Sequence, residues 1–142
     1  MERRAFLRSI ECAAIGALCG GLPASILSCS GLRYVPASRD GNRLAVLRAD
    51  IGTAPFVLLQ HPTIPRSIYL HHHPDGNYSA VLTLCSHQGC EVEPAGDRLA
   101  CPCHGSQYEL TGEVIRGPAE RPLRRYDVTA DLEHIYIHLS DV

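Results

Sequence analysis

A chain of 142 residues, 45% hydrophobic and without tryptophan, has room for one small domain with a modest core. Its formal charge of −2 excludes the basic footprint of a nucleic-acid binder and the acidic block of a solvated tail. The seven cysteines fall into two groups, three in the first thirty residues and four between positions 85 and 103, and each group needs its own explanation.

The chain opens with Glu2-Arg3-Arg4-Ala5-Phe6-Leu7-Arg8, followed over residues 10–27 by a weakly apolar run interrupted by Glu11 and Pro23. A stable membrane span takes about 20 apolar residues, so this broken run better suits the hydrophobic region of a signal. The opening resembles the twin-arginine export signal: R-R-x-F-L is intact, with Glu2 and Arg8 as departures. An uncleaved anchor helix is the alternative. Ile26-Leu27-Ser28-Cys29 resembles a bacterial lipobox, with Ile26 and Leu27 as departures. Used as such, Cys29 becomes a lipidated mature N-terminus, and several acyl chains on one residue anchor stably. A cleaved peptide in which Cys29 is incidental is the plain alternative, and Cys12 and Cys19 read as incidental. These resemblances imply export across the bacterial cytoplasmic membrane. They also imply a division into a signal or anchor over residues 1–30 and a domain over 31–142.

Residues 31–84 read as strands joined by tight turns. Asp40-Gly41-Asn42 predicts a hairpin between residues 33–36 and 44–47. Residues 56–61 and 68–72 are apolar or β-branched runs separated by Pro62 and Pro65, and Pro74-Asp75-Gly76-Asn77 predicts a turn into a strand over 78–84. Helical periodicity is absent, so helix content should be low. His71-His72-His73 invites a metal reading, but neighbours on a strand point to opposite faces, so the three do not converge on one ion.

The next stretch reads C-S-H-Q-G-C over residues 85–90 and C-P-C-H-G-S-Q-Y over 101–108. Thiolate and imidazole together suit zinc or an iron–sulfur cluster. Zinc fingers space their ligands as C-x₂₋₄-C and H-x₃₋₅-H, whereas these loops offer C-x-H and C-x-x-H. A cluster with two Cys on one iron and two His on the other takes one Cys and one His from each of two loops. Between the loops, Ala95-Gly96-Asp97 is a turn and residues 98–100 a short strand. Beyond them come Arg116-Gly117-Pro118-Ala119-Glu120-Arg121-Pro122 and two closing strands over 123–129 and 134–139, on which His134 and His138 read as strand residues.

C-x-H-x-G-C followed by C-P-C-H-G-S-x-Y resembles the Rieske [2Fe–2S] family, in its high-potential, disulfide-bearing branch. The resemblance covers about residues 43–140. It implies an all-β fold, a Rieske-type antiparallel β-sandwich with a small cluster-binding subdomain (about 85–122) formed by two loops. It implies a [2Fe–2S] cluster with Cys85 and Cys101 on the buried iron and His87 and His104 on the outer one. It implies a Cys90–Cys103 disulfide, a Ser106 hydroxyl bonded to a bridging sulfide, and a Tyr108 hydroxyl bonded to the Cys85 thiolate. Gly117 and Pro118 fall in a segment resembling the proline loop that covers the cluster.

The function so implied is one-electron transfer through a histidine edge, by an electron carrier or electron-transfer subunit rather than a stand-alone enzyme. Three partner settings stay open: a membrane-tethered carrier serving a soluble cytochrome, a quinol-oxidising cytochrome bc complex, and the large subunit of a molybdenum oxidase of the arsenite type. In bc complexes the residue after the first ligand His is usually Leu; here it is Gln88, which weakens the quinol setting.

Overall fold

A computed structural model describes residues 31–139; the twin-arginine motif, the apolar run and Cys29 lie outside the described residues. The chain order is β1 (Tyr34–Pro36), β2 (Ser38–Asp40), β3 (Arg43–Leu47), a one-turn helix α1 (Arg48–Ile51), β4 (Phe56–Gln60), β5 (Ile68–His72) and β6 (Tyr78–Leu82). Then come β7 (Glu93–Ala95), β8 (Arg98–Ala100), β9 (Gln107–Tyr108), β10 (Val114–Arg116), β11 (Arg125–Ala130) and β12 (His134–His138).

Eight strands hydrogen-bond in the order β1-β4-β5-β6-β11-β12-β3-β2, and the other four form a separate sheet in the order β10-β9-β8-β7. Because β1 and β2 are consecutive, separated only by Ala37, the two outer edges of the eight-stranded ladder belong to one continuous stretch of chain. The other corner of the sandwich is β11, whose Arg125 and Tyr126 pair with β6 while Asp127 to Ala130 pair with β12. Strands that change sheets are how packed sheets turn their corners.

The expected all-β architecture is present, with three differences of detail. The hairpin around Gly41 joins β3 to β2, not to residues 33–36. Those earlier residues pair parallel with β4, the one parallel pairing among the described strands. Pro36 has no N–H to extend the β2–β3 ladder, so the chain changes sheet there, with the Ala37 N–H bonded to the Gln60 carbonyl. Helix α1 was not foreseen, because four residues leave no periodic signal.

Two cores share one sheet. From β4, β5 and β6, the side chains of Val57, Leu59, Ile68, Leu70, Ala80 and Leu82 fill the sandwich interior with Leu44, Val46, Ile135 and Ile137. The alternate residues of the same strands, Leu58, Tyr69 and Val81, face the other way and pack against Leu99, Tyr108 and Leu123. That second core includes Cys85 and Cys101. Double-sided burial explains why these strands read as unbroken apolar runs, whereas β12 alternates buried Ile135 and Ile137 with more exposed neighbours.

Gly112 sits at the join between the small sheet and the large one. Its φ is 93°, and a Cβ there would stand 3.0 Å from Val81 Cγ1 and 3.3 Å from Leu123 Cβ. Its carbonyl also accepts the Leu123 N–H at 2.9 Å. Gly112→Ala therefore combines a left-handed backbone with overpacking and should cost about 2–4 kcal/mol of unfolding free energy. Leu132→Ala, at a position 97% exposed, should cost less than about 0.5 kcal/mol. Chemical denaturation of the two variants checks both values.

Candidate metal centre

The two cysteine loops are built alike. The first leaves β6 and is closed by an isolated bridge between Leu84 and Glu91; the second connects β8 to β9. In the first, the Gly89 N–H bonds the Cys85 carbonyl and the Cys85 N–H bonds the Cys90 carbonyl, both at 2.8 Å. In the second, the Gly105 N–H bonds the Cys101 carbonyl at 3.0 Å and the Cys101 N–H bonds the Ser106 carbonyl at 2.8 Å. The fifth residue of each loop turns the chain back with positive φ, 73° at Gly89 and 77° at Gly105, which glycine adopts without a Cβ penalty. The backbones thus match, while the histidines are offset: His87 is third in its loop and His104 fourth.

That offset gives the donors a direction. Cys85 and Cys101 are free thiols, 3% and 2% exposed. His87 and His104 are exposed, with ring centroids 5.1 Å apart and planes at 82°. Sulfur lies inside and imidazole at the surface. Cys90 and Cys103 form the disulfide between the loops that the family resemblance implied. The Cys101 sulfur lies within 4.8 Å of both disulfide sulfurs, but bonded cysteines have no thiolate to give a metal. The remaining donor set of two thiols and two imidazoles fits a cluster carrying Cys₂ on one iron and His₂ on the other.

Tyr108 lies fully buried behind the thiols, its hydroxyl 3.2 Å from Cys85 Sγ. The Ser86 N–H donates to that hydroxyl oxygen at 3.3 Å, and the Ser86 hydroxyl lies 3.3 Å from it. Ser86 gives its own proton to the Arg121 carbonyl at 2.5 Å. The Tyr108 proton is therefore left for Cys85, since a thiolate accepts more strongly than a neutral hydroxyl. Burial pushes the Cys85 thiol up, but the Tyr108 hydroxyl, the His87 N–H, the Cys101 thiol and the Ser106 hydroxyl outweigh it and hold Cys85 below the ordinary thiol value. Cys101 goes the other way, raised first by burial and further by the neighbouring Cys85. Burial and the bond to Cys85 also raise Tyr108.

The covering segment is fastened at two points. The Ala119 N–H donates to Ser106 Oγ at 3.0 Å, and the Arg121 carbonyl accepts from Ser86. Accepting from Ala119 leaves the Ser106 proton free for another acceptor. Gly117 and Pro118 are exposed, and the residue of this segment that packs against the second core is Ala119, 4% exposed. Sequence reasoning passed over both Ser86 and Ala119. Ser86 fills the variable position of C-x-H, and Ala119 acts through its backbone, so neither leaves a pattern.

The remaining histidines stand apart from this centre. His71 and His73 share one side of the β5 end, with ring centroids 4.5 Å apart, while His72 stacks on Tyr78 on the other. His73 is bonded to Ser79 and His138 to Thr129.

A family model for the Rieske [2Fe-2S] domain matches residues 34–127. The cytochrome b6-f complex iron-sulfur subunit of a Synechococcus species is 30% identical over 151 aligned positions, covering 95% of this chain and 86% of that protein. The subunit of the same name from Chlorobaculum tepidum is 39% identical over 67 residues, 46% of this chain and 37% of that protein, so the chain spans little more than a third of that relative. The solved plasma membrane Rieske protein of the cyanobacterium Synechocystis superposes with a TM-score of 0.55 at 29% identity, over 64% of this chain and 93% of that one. A chain of the carbazole 1,9a-dioxygenase oxygenase–ferredoxin complex shares the fold, with a TM-score of 0.57 at 18% identity over 72% of this chain and 98% of that one. The chain belongs to the Rieske [2Fe–2S] family, and a [2Fe–2S] cluster is its cofactor.

Two outcomes follow from the bonds around the thiols. Tyr108→Phe and Ser106→Ala each remove a donor that favours the more negative, reduced state. A hydrogen bond to a charged group contributes about 1.5–3 kcal/mol, part of which differs between redox states. With about 1.4 kcal/mol for each 59 mV of a one-electron couple, each variant should lower the midpoint by about 50–100 mV in protein-film voltammetry. Separately, the Cys90–Cys103 bond closes a loop of sequence separation 13. Its removal by paired alanine substitution should cost about 3 kcal/mol in the chain-entropy account, read by chemical denaturation of the cluster-loaded protein.

Proposed function

We propose that this Rieske protein is an exported, membrane-tethered carrier of single electrons, with Cys85 and Cys101 ligating the inner iron and His87 and His104 the outer one. The observation that carries this reading is the division of the donors, with both thiols buried and both imidazoles exposed. The bound [2Fe–2S] cluster supplies reversible one-electron chemistry, and family potentials span roughly −150 to +300 mV. The surrounding residues set the terms of that exchange. Tyr108 and Ser106 direct hydroxyl protons at sulfur and favour added negative charge. The segment over residues 117–122, held by Ser86 and Ser106, screens the thiols from water. His87 and His104 present the edge that a partner meets, and the ring nitrogen each keeps free of metal holds or gives a proton.

The tether is read from the sequence, where an apolar run ends in Cys29, whose lipidation would anchor the domain. Among the described residues no helix is long and apolar enough to cross a membrane. The partner in this reading is a soluble redox protein such as a cytochrome. A second reading, a subunit of a quinol-oxidising cytochrome complex, is favoured by the names of the curated relatives. Gln88, polar and exposed next to His87, speaks for the carrier, since it offers no apolar seat to a quinol. The small subunit of an arsenite-type molybdenum oxidase is a third setting, with the same ligand roles.

The test uses the full-length chain in its own membranes, reduced and mixed anaerobically with soluble cytochrome c or, once oxidised, with a short-chain quinol. The carrier reading expects rapid one-electron reduction of the cytochrome and no quinol oxidation; the reverse pattern establishes the cytochrome-complex subunit. Cys29→Ala should move the protein to the soluble fraction, and retention on the membrane with residues 1–28 intact makes an uncleaved helix the anchor.

A further inference from the structure

The end of the sandwich away from the ligand loops carries exposed leucines among its charged residues. Pairing places the starts of β1, β4, β6 and β12 with the ends of β3, β5 and β11 at this end, through Tyr34 with Leu58, Phe56 with His71, His72 with Tyr78, His134 with Leu47, and Ala130 with Ile135. The first ligand loop instead leaves from the far end of β6, and the covering segment returns there to the start of β11. At the end away from the loops, Leu132 is 97% exposed at the apex of the β11–β12 turn, Leu47 is 45% exposed, and Leu32 is 42% exposed.

These three leucines are held in relation to one another. The Arg48 N–H bonds the Glu133 carbonyl at 2.8 Å and its guanidinium the Asp131 carbonyl at 2.9 Å, which sets Leu47 beside the turn. The Arg33 guanidinium bonds the Ile51 carbonyl, which sets Leu32 near the end of α1. The turn itself is closed by bonds to one side chain. The Asp131 carboxylate accepts the N–H groups of Glu133 and His134 at 2.8 and 2.7 Å and the Tyr136 hydroxyl at 2.9 Å. Such an Asx-type closure leaves the one residue between, Leu132, pointing out. Two arginines, Arg33 and Arg48, stand here with the histidines His71, His72, His73 and His134 and against Asp50, Asp75, Asp131 and Glu133, so the formal charge of this end is not basic. The chain also enters the described domain at this end, since the Arg33 carbonyl accepts the Leu58 N–H.

We infer that this end rests on the lipid bilayer, with Leu132 as the inserted contact flanked by Leu47 and Leu32, and that His87 and His104 consequently face the aqueous side. The inference rests on the tethered reading above. Full transfer of one leucine from water multiplies a bound population by about tenfold or more, so three partly exposed ones are weak recruiters from solution. A tether supplies the effective concentration that lets them fix an orientation. Exposed apolar residues gathered at one place, not scattered singly, mark such contact surfaces.

The absence of tryptophan from the chain makes the test direct. Full-length, cluster-loaded protein carrying Leu132→Trp, and a second carrying Ile115→Trp in the small sheet, are each reconstituted on phosphatidylcholine vesicles with and without brominated acyl chains. The expected result is a blue-shifted Leu132→Trp emission that brominated lipid quenches, while the Ile115→Trp emission is unaffected by the lipid. Protein that sediments with vesicles but shows an unquenched Leu132→Trp emission overturns the orientation and leaves the tether standing. A blue shift without lipid quenching means the leucines cover another protein surface, such as a second copy, and also overturns it. Protein that stays in the supernatant overturns the tether and the orientation together.

Discussion

The constraint on which the structure depends is that β4, β5 and β6 are buried on both faces. Leu59, Ile68 and Leu82 look into the sandwich, while Leu58, Tyr69 and Val81 support the small sheet on the opposite side. Without the small sheet, those outward residues would form an apolar patch in water. Without the large sheet, the small one has no second layer, since its strands are two or three residues long. The ligand loops are therefore held by a core that belongs to neither sheet alone. Cys85 and Cys101 are members of that core, so the donors and the packing that positions them are one assembly.

Polar fixation completes what packing begins. The hydroxyls around the thiols are tied to the chain and to one another, and the Tyr108 hydroxyl reaches the Cys85 sulfur. Ser106 accepts from Ala119, Tyr108 accepts from Ser86, and Ser86 gives its proton to Arg121. No buried side-chain oxygen or nitrogen among the described residues lacks a partner. That completeness matters because an unsatisfied polar group beside a buried sulfur would cost as much as the hydrogen bond it fails to make. The bonds are also made by neutral groups. A neutral donor stabilises added charge on sulfur without fixing a counter-charge that would oppose the oxidised state.

Much of this was legible in the sequence, for reasons that differ by residue. The cysteine and histidine spacing singled out the chain's two free thiols, Cys85 and Cys101, among the described residues, and the two facing imidazoles of His87 and His104. Strands β5 and β8 fell where apolar and turn residues placed them, since each is bounded by proline, glycine or aspartate. Proline 36 hid the change of sheet at β1, because a short apolar segment before a turn looks the same whether it pairs antiparallel or parallel. Ser86 and Ala119 were invisible, one because any residue is admitted at its position and the other because its backbone does the bonding. Gly112 carries no distinguishing pattern in the sequence; only the Val81 and Leu123 side chains facing it show why a methyl does not fit.

The matched backbones of the two loops bring the division of labour into view. Position three holds His87 in one loop and Cys103 in the other, and position six holds Cys90 and Ser106. The sixth residue of each loop is a fastening, Cys90 to the opposite loop by a covalent bond and Ser106 to the covering segment through Ala119. Position three is split, a donor in the first loop and the other half of the covalent tie in the second. The one-residue offset between His87 and His104 leaves position three of the second loop to Cys103 while keeping its imidazole exposed. The two free thiols and the two imidazoles are thus placed by backbone hydrogen bonds, one disulfide and a serine hydroxyl. Of all these fastenings, none consumes a free thiol or an imidazole nitrogen of the donor set.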